Sequence, residues 1–180
     1  MFMTKEKTRR LVLAALFLAI GMVLPLITLQ LKEIGDSLLP MHLAVMLCGI
    51  ICGQYYGAAV GFILPFLRGV IFGMPPLYPN AVWMAFELAT YGFIIGLLYK
   101  KLPLKNNLLK IYISLITSMI AGRIIWSVVK SVLLGVAGKS FTIALFWAQG
   151  FADAIPGIIL QLILIPIIIR IIENYGKKGA

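Results

Sequence analysis

The sequence predicts an all-α integral membrane protein of six transmembrane helices, with both termini in the cytoplasm. Three observations carry that expectation. Of 180 residues, 62% are hydrophobic and only 12% are Asp, Glu, Lys or Arg, whereas a soluble domain carries about 25% of these charged types. A core that fits a chain of this size cannot hide so much apolar surface, so lipid must cover the remainder. Apolar runs of near-membrane length recur six times, and basic residues gather at alternate ends of those runs.

Crossing the hydrocarbon takes about 20 apolar residues in a helix. The first run is Leu11 to Leu29, longer than the apolar core of a cleavable signal and without a small-x-small cleavage site, so it is expected to be a helix that stays. The second spans about Leu38 to Gln54 and the third Tyr56 to Phe72. Gly49, Gly53, Gly57 and Gly61 recur across the tight turn between them, a spacing that lets helix backbones approach closely. Pro65 is expected to kink the third run. The fourth covers Asn80 to Tyr99, the fifth Leu108 to Val136, and the sixth Phe141 to Ile172, with Pro156 and Pro166 as expected bends. Backbone groups in lipid must pair within their own segment, which makes helix the default. The near-continuous apolar stretch Ile158 to Ile169 excludes the alternating pattern of a barrel. No linker divides residues 1–180, which are expected to form a single membrane domain.

Loop charge sets the orientation. With the N-terminus inside, the inner segments hold Lys5, Lys7, Arg9 and Arg10, then Lys100, Lys101, Lys105 and Lys110, then Arg170, Lys177 and Lys178. The outer loops hold Lys32 and Lys139. This bias favours a cytoplasmic N- and C-terminus and contact with anionic lipid. It also disposes of the nucleic-acid interpretation that a formal charge of +10 invites, because the cations flank apolar runs and form no recognition stripe. Cys48 and Cys52 share a helix face without further ligands, a poor metal site and an ordinary pair of small core residues. No metal and no cofactor is expected.

Apart from the cations already assigned to the inner side, five charges remain within the runs: Arg68, Glu87, Arg123, Lys130 and Asp153. An ionised side chain near the bilayer centre costs at least about 2.5–3.5 kcal/mol on insertion scales, so such groups face the bundle interior and mark function. Counting along the runs places Glu87, Arg123 and Asp153 near the midplane on its outer side, with Arg68 also outer. Helical spacing aligns Asn80, Trp83, Glu87 and Tyr91 on one face, Arg123, Trp126, Ser127 and Lys130 on a second, and Gln149 with Asp153 on a third. These faces are expected to converge on one outward-opening cavity with aromatic walls and a few polar groups. His42, at the outer start of the second run, is a further candidate. Three cations against two anions leave one positive charge that a ligand carboxylate or phosphate would complete. Alternatives stay open here: Arg68 and Lys130 could snorkel to the boundary, Glu87 with Arg123 could be a structural ion pair, and His42 could be a helix-end residue.

Two stretches resemble a known family. Met41-His42-Leu43-Ala44-Val45-Met46-Leu47-Cys48-Gly49 is similar to the start of helix two in substrate-binding S components of energy-coupling factor (ECF) vitamin transporters. Phe72-Gly73-Met74-Pro75-Pro76-Leu77-Tyr78-Pro79-Asn80, leading into Met84-Ala85-Phe86-Glu87-Leu88-Ala89-Thr90-Tyr91-Gly92, resembles the same family, most nearly its pantothenate-type branch. The resemblance implies a six-helix protein that binds one small vitamin from outside and docks on a membrane T subunit with two cytosolic ATPases. It further implies a docking surface of small residues on helix one, which Ala15 and Ala19 match; close packing of small residues within the bundle is the alternative. No Gly-rich loop ending in Gly-Lys-Ser or Gly-Lys-Thr is present, so ATP would act through partners. A stand-alone proton-coupled carrier is the competing function, but no inverted repeat relates the two halves. A membrane enzyme is disfavoured by the single His42 and the lack of a nucleophile motif.

Overall fold

Continuous apolar sequence leaves a backbone in lipid no choice but helix, and six α-helices with no strand are found among the described residues. The structure, a computed structural model, describes residues 4–28, 40–138, 142, 147 and 154–178. The helices are α1 (Lys5–Thr28), α2 (Pro40–Cys52), α3 (Gln54–Phe72), α4 (Val82–Lys101), α5 (Asn107–Val136) and α6 (Ile155–Lys178). Five are long and apolar enough to cross a membrane, while α2 is shorter.

Several boundaries differ from the expected ones for local reasons. The first helix begins at Lys5 rather than Leu11, because Glu6 and Arg10 pair one turn apart and extend it into the charged segment. The last runs on to Lys178 instead of ending at Ile172. Its polar end is anchored: Tyr99 Oη donates to Glu173 Oε1 at 2.6 Å, and Asn107 Nδ2 donates to Glu173 Oε2 at 3.0 Å. The expected sixth run from Phe141 lies mostly outside the described residues. Pro156 falls in the first turn of α6, a position that tolerates proline, and the residues before it lie outside the described ones. Asn106 caps α5, its side chain accepting from Leu108 N at 3.0 Å and Leu109 N at 3.5 Å.

Glycine contacts weld α2, α3 and α4 together. A methyl on Gly57 would lie 2.6 Å from Gly49 Cα and 2.7 Å from the Gly92 carbonyl oxygen, and a methyl on Gly92 or Gly61 would run into the backbone of α3 or α4 respectively. Gly53 departs from the expected packing role. Its φ of 101° belongs to the tight turn between α2 and α3, which a residue with a Cβ adopts only with strain. The α4 partners Gly92 and Gly96 were not apparent from the second and third runs alone. Outside this unit, α1 packs on α2 and α3, α5 packs on α4, and α6 leans on α2 and α5.

These contacts order the ends of the bundle. Arg10 of α1 reaches the α2–α3 turn at Gly53, Gly96 of α4 abuts Gln54 in the same region, and Glu173 of α6 meets Tyr99 and Asn107. The start of α1 and the end of α6 therefore share one end of the bundle with the loop between α4 and α5. The first turns of α2 and α4 lie at the opposite end.

Candidate functional site

Glu87 follows from the α4 face that also carries Tyr91 one turn later. Both are buried, at 2% exposure each. The Tyr91 hydroxyl donates to Glu87 Oε1 at 2.9 Å, and Arg123 Nη1 from α5 lies 2.9 Å from the same oxygen. His42, in the first turn of α2, brings its Nε2 to 3.7 Å of that oxygen, and its ring meets the Tyr91 ring at 5.2 Å between centroids. Three side chains from three helices thus close around one carboxylate. Burying such charges costs several kcal/mol each before pairing returns part of it, so apolar side chains of similar volume would be a simpler way to hold these elements.

The network extends along α5. The Arg123 guanidinium sits 5.7 Å from the Trp126 ring centre. The Lys130 ammonium lies 4.5 Å from Trp126 and 4.7 Å from Trp83, so α4 and α5 hold one cation between two indoles. Cation–π contacts of this kind are worth about 0.5–2 kcal/mol each, depending on desolvation. Gly122 permits the crossing, because a methyl there would meet the Tyr91 ring.

Beside the carboxylate cluster is a cavity of about 270 Å³. His42 of α2, Tyr91 of α4 and Arg123 of α5 form its polar wall, and Ile116, Met119 and Ile120 of α5 face Ile158 and Leu162 of α6. Gln161 of α6 completes it. That residue is 1% exposed and its Nε2 has no hydrogen-bond partner among the described residues, as is true of both His42 nitrogens. An unsatisfied buried amide costs about 1–3 kcal/mol, which a bound acceptor would relieve.

The other sequence candidates are distributed as follows. Arg68 is buried at 3% exposure and does not snorkel: its Nη1 donates to the Met22 carbonyl oxygen of α1 at 2.7 Å, and its guanidinium stands 5.4 Å from the Phe72 ring. It lines no part of the cavity. Asn80 is half-buried in the turn Leu77–Ala81 that enters α4, also away from the cavity wall. Trp83, Trp126 and Lys130 sit one step along α4 and α5 from it. Gln149 and Asp153 lie outside the described residues. Ala15 and Ala19 are both exposed on α1, whereas Ala14 is buried at 4% exposure. The alanine pair therefore faces away from the bundle and does not serve close packing within it. Gln161 escaped the sequence argument. Its signal was available, as the single polar side chain between Ile155 and Ile169.

Among the described residues no group of three or more His, Cys, Asp or Glu side chains is placed to hold a metal ion. The arrangement is suited to binding: a cavity between helices, mostly aliphatic, with polar groups concentrated on one side. No curated protein and no solved structure matches the chain. A family model described as "ECF transporter, substrate-specific component" matches residues 9–169, nearly the whole length. With six helices and a buried, cavity-lining polar cluster beside that match, the chain belongs to the substrate-specific components of ECF transporters.

Proposed function

We propose that the chain captures a small water-soluble vitamin from outside the cell and delivers it for ATP-driven uptake by a membrane T subunit and two cytosolic ATPases. The observation that carries this is the buried cluster around Glu87, whose partners Arg123, Tyr91 and His42 line a cavity between α2, α4, α5 and α6. In a substrate-specific component, a ligand-sized hollow with costly buried charges is the natural binding site. The host membrane in this proposal is the bacterial plasma membrane. The end bearing Lys5, Lys7, Arg9, Arg10, Lys100 and Lys101 faces the cytoplasm, following the distribution of loop charge.

An anionic ligand, of which pantothenate is one example, suits the donor groups of Arg123 and Gln161 at the cavity wall. The exposed face of α1 with Ala15 and Ala19 is the proposed docking surface, since small residues let a partner helix approach closely.

The test is uptake of labelled vitamins into proteoliposomes holding the chain alone, or the chain with T subunit and ATPases. Accumulation that needs the partners and ATP is expected. Accumulation by the isolated chain without ATP would replace this function with that of a proton-coupled carrier.

A further inference from the structure

We propose that Gln161 is a specificity-determining residue of the cavity, acting with Arg123 to hold the carboxylate of a ligand whose body is aliphatic. This deepens the proposed capture of a micronutrient and rests on it.

The polar atoms of the cavity wall leave a particular kind of partner missing. Gln161 Nε2 is buried and unpartnered among the described residues. An amide nitrogen carries two donors and accepts nothing, so its partner is an acceptor oxygen. Arg123 also only donates; one of its nitrogens engages Glu87, and a guanidinium has five N–H bonds to distribute. The two residues reach the same cavity from α6 and α5. Glu87, by contrast, offers no free welcome to a cation: its Oε1 already takes the Tyr91 hydroxyl and Arg123. Donors on both flanks select an anionic acceptor.

The rest of the wall selects the body. Ile116, Met119, Ile120, Ile158 and Leu162 present branched or flexible aliphatic surface. Tyr91 and His42 are the rings at the wall, and they already lie tilted against each other at 57°. Among the described residues, no pair of parallel aromatic faces lines the cavity to receive a flat heterocycle. A compact acid with an aliphatic chain or saturated ring suits this surface, its carboxylate turned toward Gln161, Arg123 and His42.

Matched acid and neutral pairs test the assignment on the purified full-length chain in lipid nanodiscs: pantothenate with panthenol, biotin with biotinamide, and lipoate with lipoamide, each titrated calorimetrically. One acid is expected to bind at least about tenfold more tightly than its neutral counterpart, as charge-assisted hydrogen bonds are roughly twice as strong as neutral ones. Gln161→Leu should lower that ratio severalfold, with Arg123 retaining part of it, and Gln161→Glu should abolish acid binding. The ratio is taken within one preparation, so partial misfolding of a variant does not move it. A neutral member that binds as well as its acid, an unchanged ratio in Gln161→Leu, or no binding by any acid overturns the proposal. Assembly with T subunit and ATPases is scored on the same preparation. Assembly without acid binding removes the carboxylate assignment alone; acid binding without assembly removes the transporter-subunit function and leaves this inference standing.

Discussion

Arg123 Nη1 and Glu87 Oε1 stand 2.9 Å apart with both side chains almost wholly buried, joining α5 to α4 across the wall of the cavity. Removing one member of such a pair strands the other without water. Arg123→Ala and Glu87→Ala are each expected to cost about 3–5 kcal/mol of stability and to weaken ligand binding strongly. The double replacement Glu87→Gln with Arg123→Gln should recover part of the stability while binding stays weak. Denaturant titration in detergent alongside ligand titration checks both halves. Recovery of stability with binding intact would make the pair purely structural.

The glycine weld between α3 and α4 makes a sharper steric prediction. Gly92→Ala places a methyl against the Gly57 backbone, which has no rotamer with which to retreat. Overpacking of this kind costs about 1–3 kcal/mol or more. Gly135→Ala in α5 meets nothing within 4 Å, so it should be neutral or stabilise by up to about 1 kcal/mol through helix propensity. Comparing the two melting temperatures tests whether close approach, and not helix preference, decides the role of Gly92.

On α1, neighbouring alanines should behave oppositely. Ala15→Leu and Ala19→Leu project from the bundle, so the isolated chain should fold and bind ligand as before. Co-purification with T subunit and ATPases is expected to fall at least about tenfold, because close helix approach needs small residues. Ala14→Leu, at a buried position, should instead lower the stability of the chain itself. Loss of fold in the Ala15 or Ala19 variants would argue against an outward docking face.

Lys130 between its two indoles should act on approach more than on final affinity. Lys130→Gln is expected to slow association of an anionic ligand severalfold and to reduce the salt sensitivity of that rate, since charge near a binding site steers encounter. Stopped-flow Trp fluorescence at two ionic strengths measures it. A changed dissociation rate with unchanged association would assign Lys130 a contact instead.

What could be seen in the sequence was local. Periodicity alone puts Glu87 above Tyr91 and Arg123 below Trp126 and Lys130, because one helix fixes those neighbours. Which helix faces which depends on backbone approach that glycines on different segments decide together, and Gly92 and Gly96 gain meaning only opposite Gly49 and Gly57. Arg68 illustrates the limit: depth suggested a place at the cavity, yet the Met22 carbonyl oxygen captures it. Gln161 illustrates the reverse. A single polar residue inside a long apolar run leaves hydropathy nearly unchanged, so averaging hides it although its burial is costly.

The attachment of α6 bears on how the protein is made. Ile158, Gln161 and Leu162 are contributed by α6, which is synthesised after α1 to α5 and leans on α2 and α5 without entering the glycine weld. A nascent chain that has inserted α1 to α5 therefore owns a packed scaffold but only part of a vessel. Competence to hold cargo arrives with α6, so a chain halted before it owns walls on one side and nothing to close them.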